Sequence, residues 1–279
     1  ADDSALFQSW GSITIINPLE KIWNGYSDTR MGASMDSYLN GYNDPRLPVY
    51  FQPVTDGDNK GEYRGVANGM PNPQQDDYKV MSAPNVQEKS TDSPLRWMMA
   101  SEVAFLRAEG AMRGWTAEMG GTAEEFYNKG IELSFLENGL SADAAARYAA
   151  DETSKPTDFT DVSAANTKYN ISALGKITIK WNAGASEEEQ LERIITQKWI
   201  AMFPNGTEAW SEFRRTGYPR LFPVRYNYPS SGVDTNKQIR RMVFPQSEYS
   251  NNGAAVQEAV KLLGGPDNGG TKLWWDKKN

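Results

Sequence analysis

Residues 186–220, SEEEQLERIITQKWIAMFPNGTEAWSEFRRTGYPR, decide how the rest of the chain is read. Ser186 ahead of Glu189 has the form of a capping box, in which each side chain satisfies a backbone N–H of the other's turn. Leu191, Ile194, Ile195, Lys198, Trp199 and Met202 recur at three- and four-residue steps, so the spacing predicts a helix with one apolar face. Phe203-Pro204-Asn205-Gly206 breaks it, because proline cannot continue the hydrogen-bond ladder and glycine accepts positive φ. A second helix with Trp210 and Phe213 is expected to stop at Gly217, with Pro219 just beyond. The stretch reads as a helical hairpin. Trp199, Trp210, Arg214, Arg215 and the glutamates crowded into it could mark a catalytic site or a packed polar core.

Composition narrows the choice. At 279 residues the chain is long enough for one large domain or two ordinary ones. Zero cysteine removes disulfides, thiolate nucleophiles and zinc–thiolate sites, and zero histidine removes Ser-His-Asp triads and imidazole ligands. The chemistry left is that of carboxylates, lysine, tyrosine or a hard cation. A net charge of −7 speaks against a nucleic-acid partner, which needs a basic face. No run of about 18 apolar residues is present to cross a membrane as a helix. The start, Ala-Asp-Asp-Ser, has no charged-then-apolar leader.

Outward from the hairpin, the texture changes twice. Residues 94–150 are helical in pattern. Ser93-Pro94 looks like a cap for a helix through Leu95 to Arg113, Thr122 and Glu125 form a capping box for the next, and Ser141 opens a short alanine-rich third. Small residues at helix-pairing positions give this half the grammar of tetratricopeptide-like repeats, although the literal signature is missing. Residues 41–93 are rich in Gly, Pro, Asn and Asp and read as a long loop region, with Leu47, Val49 and Phe51 as a short strand. Ile13 to Ile16 could be another strand, and Leu19 to Trp23 a helical turn. Ala254 to Leu263 reads as a last amphipathic helix stopped by Gly264-Gly265, followed by Trp274-Trp275 as an apolar anchor.

Candidate chemistry is thin. Asp56-x-Asp58-x-Lys60-Gly61 begins like a calcium loop, but Lys60 stands at its fifth position and Ala67 where the bidentate glutamate belongs, so it reads as a solvated turn. Glu208 and Glu212 could serve as the carboxylate pair of a glycoside hydrolase. One helical turn apart and beside Arg214 and Arg215, they read better as ion-pair partners. Aromatics in the irregular segments, Tyr26, Tyr42, Tyr63 and Tyr78, are the candidates for stacking on the C–H face of a sugar.

Several long stretches, in order, resemble the SusD/RagB family of outer-membrane nutrient-binding lipoproteins. They are Asp44-Pro45-Arg46-Leu47-Pro48, the run Arg96 to Glu109, Gln197-Lys198-Trp199-Ile200-Ala201, the run Ala209 to Pro219, and Gly269 to Trp275. The resemblance implies a mainly α, tetratricopeptide-like helical repeat with long irregular loops and few short strands. It would form a single domain over 1–279, with repeat-like helix pairs at 94–150 and 186–220. It implies capture of an oligosaccharide, or in some members a peptide, for a SusC-like TonB-dependent transporter. It also implies a lipid-anchored place on the outer cell surface, no cofactor and no enzyme activity. Family chains are longer, so the first half of the pattern is expected to be missing here. A hydrolase, or a scaffold that binds only proteins, is the competing expectation.

Overall fold

The computed structural model describes residues 2–7, 17–70, 75–85, 93–228 and 231–277. The strand expected at Ile13 to Ile16 lies outside them. The described chain is mainly helical. Its two strands, β1 (Ala5–Phe7) and β2 (Leu95–Met98), form one antiparallel pair with Leu6 opposite Arg96.

The helices are α1 (Pro18–Glu20), which continues as a π-helical turn through Tyr26, α2 (Ala33–Gly41), α3 (Leu47–Tyr50) and α4 (Gln75–Tyr78). Then come α5 (Ala100–Met112), α6 (Thr116–Met119), α7 (Ala123–Glu137) and α8 (Ala142–Ala149). A 3₁₀ turn over Ala164–Tyr169 precedes α9 (Glu187–Ala201), α10 (Gly206–Thr216) and α11 (Gln246–Leu262).

Helices α5, α7 and α9 pack on one another, with α8 against α7. Phe105 and Ala108 of α5, Tyr127, Ile131 and Phe135 of α7, and Ile194, Ile195 and Ile200 of α9 form one core with Tyr38 and Leu39 of α2. Each large apolar side chain removed from water there contributes about 1.5–3 kcal/mol. Helix α7 begins at the expected capping box, with Thr122 accepting from the Glu125 N–H and Glu125 reaching back to the Thr122 N–H. At α9 only half of that device forms. Ser186 accepts from the Glu189 N–H, but Glu189 gives its carboxylate to Arg193 one turn on.

The turn between α9 and α10 is also made differently from expectation. Asn205, not a left-handed glycine, starts α10 by accepting from the Glu208 N–H, while Gly206 is already helical. Gly217 does end α10 in the left-handed region at φ 76°, where a Cβ would be strained.

Two further expectations need correcting, and one helix has no counterpart in the sequence reading. The segment after Pro94 is strand β2, and α5 starts only at Ala100, because Leu95 to Met98 pair with β1. Leu47 to Tyr50 is a helical turn rather than a strand, opened by proline at its second position. Helix α2 was not foreseen, since it buries Asp36 and Ser37 beside Tyr38 and Leu39 and so shows no clean apolar stripe.

The charged residues of the hairpin form a polar core. Lys198 is wholly buried and sits 2.9 Å from Glu212, 3.4 Å from Glu208 and 3.8 Å from Glu102, joining α9, α10 and α5. Arg215 grips both oxygens of Glu109 at 2.6 Å and reaches Glu212 at 2.5 Å. Glu208 and Glu212 therefore share one lysine, and Glu212 is buried. The pair is a helix-joining clamp.

Trp210 is half-buried and serves the C-terminal segment rather than the seam between α9 and α10. Its indole N–H donates to the Ile239 carbonyl at 2.8 Å. The Arg214 guanidinium lies 3.6 Å from its ring centre and 5.0 Å from that of Trp275. Beside this stack, Arg240 holds both oxygens of buried Asp276. The tail is anchored by Trp275 and Asp276, whereas Trp274 stands in solvent.

Candidate functional site

A cleft forms where the first segment, the stretch from Thr29 into α2, the α9–α10 turn, Leu221-Phe222 and Gln238 meet. Asn17 caps α1 by accepting from the Leu19 N–H, and Pro18 sets the first turn. The π turn that follows delivers Trp23, whose ring stacks parallel to Phe203 at 6.2 Å between centres. Trp199, on the last turn of α9, meets Tyr38 edge to face at 5.7 Å. These rings, with Phe51 and Phe222, line a space of about 240 Å³; Trp23, Phe51 and Phe222 are themselves buried, so the half-buried rings that give its apolar floor are Trp199 and Phe203.

The rim is polar and uncharged apart from one arginine. Arg30 is already committed, since it donates to the carbonyls of Ser27, Thr29 and Lys79. Burial lowers its pKa, partly offset by Asp28, and a guanidinium stays charged regardless. Gln238 adopts a left-handed φ of 58°, a conformation that costs a side-chain-bearing residue about 1–3 kcal/mol. Its amide nitrogen donates to the Phe222 carbonyl at 3.2 Å, which leaves the amide oxygen to the cleft. Among the described residues nothing bonds the Asn68 side-chain amide or the Thr29 hydroxyl, and both line the same space. No carboxylate lines it among the described residues. Flat rings below and unpaired amide and hydroxyl groups above suit a neutral, hydroxyl-rich ring.

A wider groove of about 760 Å³ runs between α7 and α8. Its floor is largely alanine with Trp181, and its edges carry Glu124, Glu125, Glu132 and Asp143. Some of that charge is already paired, as Lys129 with Glu132 and Lys180 with Glu152, both at 2.8 Å. It offers less than the smaller cleft to an uncharged ring.

The scaffold around the cleft is a known one. The family model described as "Susd and RagB outer membrane lipoprotein" matches residues 1–276. This chain belongs to the SusD/RagB family. Among solved SusD-like structures, a chitin-binding SusD homolog from Flavobacterium johnsoniae is 42% identical with a TM-score of 0.89, covering 100% of this chain and 55% of that one. A SusD homolog from Bacteroides thetaiotaomicron is 41% identical with a TM-score of 0.88, covering 100% and 57%. A further SusD-like protein from Bacteroides thetaiotaomicron is 44% identical with a TM-score of 0.85, covering 93% and 53%. The chain thus spans little more than half the length of these SusD relatives. No curated protein matches it.

On this SusD-like scaffold the four tyrosines singled out in the sequence scatter. Tyr42 is 1% exposed, and its hydroxyl donates to the Ile177 carbonyl at 3.2 Å. Tyr78 is also buried, donating to Asp161 and accepting from Asn166. Burial pushes both phenols above their ordinary pKa. Neither offers a ring face to a ligand. Tyr63 is half-buried against the main core. Tyr26 is 63% exposed at the end of the π turn that carries Trp23, and it alone of the four shares an element with the cleft. The cleft-lining Thr29, Asn68 and Gln238 carry no local pattern in the sequence, and Trp199 stands out there only as part of the hairpin's aromatic and charged cluster. Trp23, three residues before Tyr26 in a short aromatic segment, was the one available signal.

Proposed function

We propose that the Trp23–Trp199 cleft binds one ring of an oligosaccharide, as part of a protein that captures glycans at the outer cell surface for import through a SusC-like TonB-dependent transporter. The observation that supports this most is the pairing of an aromatic floor with the unbonded Asn68 amide, Gln238 amide oxygen and Thr29 hydroxyl. The outer-membrane, lipid-anchored setting follows the family description. It concerns the whole protein, of which this chain corresponds to about half the length of its relatives.

For the ligand, β-1,4-linked N-acetylglucosamine is the class to test first. The Flavobacterium johnsoniae relative is a chitin-binding protein. An acetamido group also carries one donor and one acceptor, which Asn68 and Gln238 can answer in kind. A space of about 240 Å³ is smaller than the 300 Å³ or more of pockets that enclose a whole ligand, so most of the chain would lie outside it.

Isothermal titration with chitohexaose tests this reading. The expected result is saturable binding that Asn68→Ala weakens about three- to tenfold, the worth of one or two lost hydrogen bonds. Asn68 is exposed, so its loss should leave the fold intact. Absence of binding across a panel of neutral oligosaccharides, or binding indifferent to Asn68→Ala, would overturn the proposal.

A further inference from the structure

If the cleft holds one ring, the remainder of a longer glycan must leave past its rim, and residues 221–228 lie beside that rim. Leu221 and Phe222 at the start of this stretch line the cleft together with Gln238, whose amide bonds the Phe222 carbonyl. A few residues on, the stretch projects Tyr226 and Tyr228, 44% and 73% exposed. Their rings stand 5.4 Å apart at 78° to each other. Neither ring belongs to the three hydrophobic core clusters.

The base of this projection is held firmly. The Arg225 N–H donates to the Asn68 carbonyl at 2.9 Å, so the residue that supplies a rim amide also fixes the residue next to Tyr226. The Arg225 guanidinium bonds the Lys168 carbonyl and lies 5.7 Å from the Tyr169 ring. Gly69 passes so close that a Cβ there would come within 2.3 Å of Val224 and 3.2 Å of the Tyr226 carbonyl. Glycine at φ 72° is what lets the two loops touch. The backbone at Arg225 and Tyr226 is thus held, and a held backbone has less freedom to lose when a ligand docks, which favours binding.

We infer that Tyr226 and Tyr228 form an outer subsite for the same glycan, resting on the reading of the cleft given above. Because the rings are perpendicular, they cannot both lie flat under an extended ribbon. One sugar stacks on the open face of Tyr228 while Tyr226 walls its edge, and the chain reaches them from the cleft by way of Asn68. The subsite is therefore engaged only by oligomers long enough to bridge from the cleft.

Chain-length dependence separates this subsite from the cleft. Affinities of the wild type, Tyr228→Ala, Tyr228→Phe and Asn68→Ala are measured for chitohexaose and for the shortest chito-oligosaccharide that binds measurably. Tyr228→Ala should weaken the hexamer roughly three- to tenfold and leave the short oligomer within about twofold, while Tyr228→Phe retains the stacking face and the affinity. Asn68→Ala should weaken both lengths. Equal losses at both lengths in Tyr228→Ala, or none at either, would overturn the subsite while leaving the cleft standing. Failure of the wild type to bind any length would bring down the cleft reading and this one together.

Discussion

Arg46 shows how much one side chain can organise. It is fully buried, donates to both oxygens of Asp44 at 2.9 and 2.6 Å, and reaches Ser134 on α7 and Gln197 on α9 at 2.9 Å each. Phe135 and Tyr148 lie against its guanidinium at 5.1 and 5.3 Å. Burial by itself would lower its pKa, yet Asp44 and the surrounding phenols hold it above the ordinary value. Arg46→Met should destabilise the fold by about 3–5 kcal/mol, because it strands the buried Asp44 carboxylate. The double variant Asp44→Asn/Arg46→Met should recover part of that loss, and urea denaturation midpoints of both variants measure it. In the sequence, Asp44-Pro45-Arg46 stands out as part of a family-like stretch but not as a hub. Hydropathy assigns an arginine to the surface, and its partners on α7, α8 and α9 lie far along the chain.

At the scale of elements, what was readable depended on whether the signal was local. The α9–α10 hairpin and the start of α7 were legible because helical periodicity, capping residues and the Gly217 stop all lie within a few positions. Strand β2 was not, because its partner β1 lies at the other end of a long connection, and the Ser-Pro pair before it mimics a helix start. Helix α11 was foreseen only from Ala254 on. It begins at Gln246, and a break at Asn252 separates the polar first half from the part with the apolar pattern.

The ion pairs between elements carry a pH signature. Burial would raise the Glu109 carboxyl, but the hydrogen bonds and charges of Arg215 and Arg113 hold it below its ordinary value. A depressed acid stabilises the fold above its unfolded pKa, and that contribution is lost as the pH falls through the folded value. Glu109→Gln should therefore cost about 1–3 kcal/mol at pH 7, reduced from a fully buried pair because Arg215 and Arg113 are partly exposed. Below about pH 4.5 the gap to the wild type should narrow, which denaturation at pH 7 and pH 3.5 would detect. The difference between the two proteins is the useful quantity, because Glu102 and Glu192, raised by burial, act in the opposite direction in both.

For the whole molecule, the mainly helical fold could be read from pattern and family resemblance, whereas the cleft could not. Its walls come from the π turn around Trp23, the stretch from Thr29 into α2, Phe51, Asn68, Pro84, the end of α9, Leu221-Phe222 and Gln238, segments that no short motif joins. Tyrosines in irregular segments looked available for stacking, but Tyr42 lies on the inner side of the chain just after α2, and Tyr78 on α4 is tied to the loop at Asp161. Irregular backbone is not the same as exposed side chain. The α7–α8 groove is the rival surface for a ligand, being wider but rimmed by acids.

Amide hydrogen exchange with and without chitohexaose tests the central claim directly, because it reports where a ligand sits. The account predicts added protection in residues 23–35, 66–70, 199–203 and 221–228, with 123–150 unchanged. Protection confined to 123–150, along the α7–α8 groove, would contradict it.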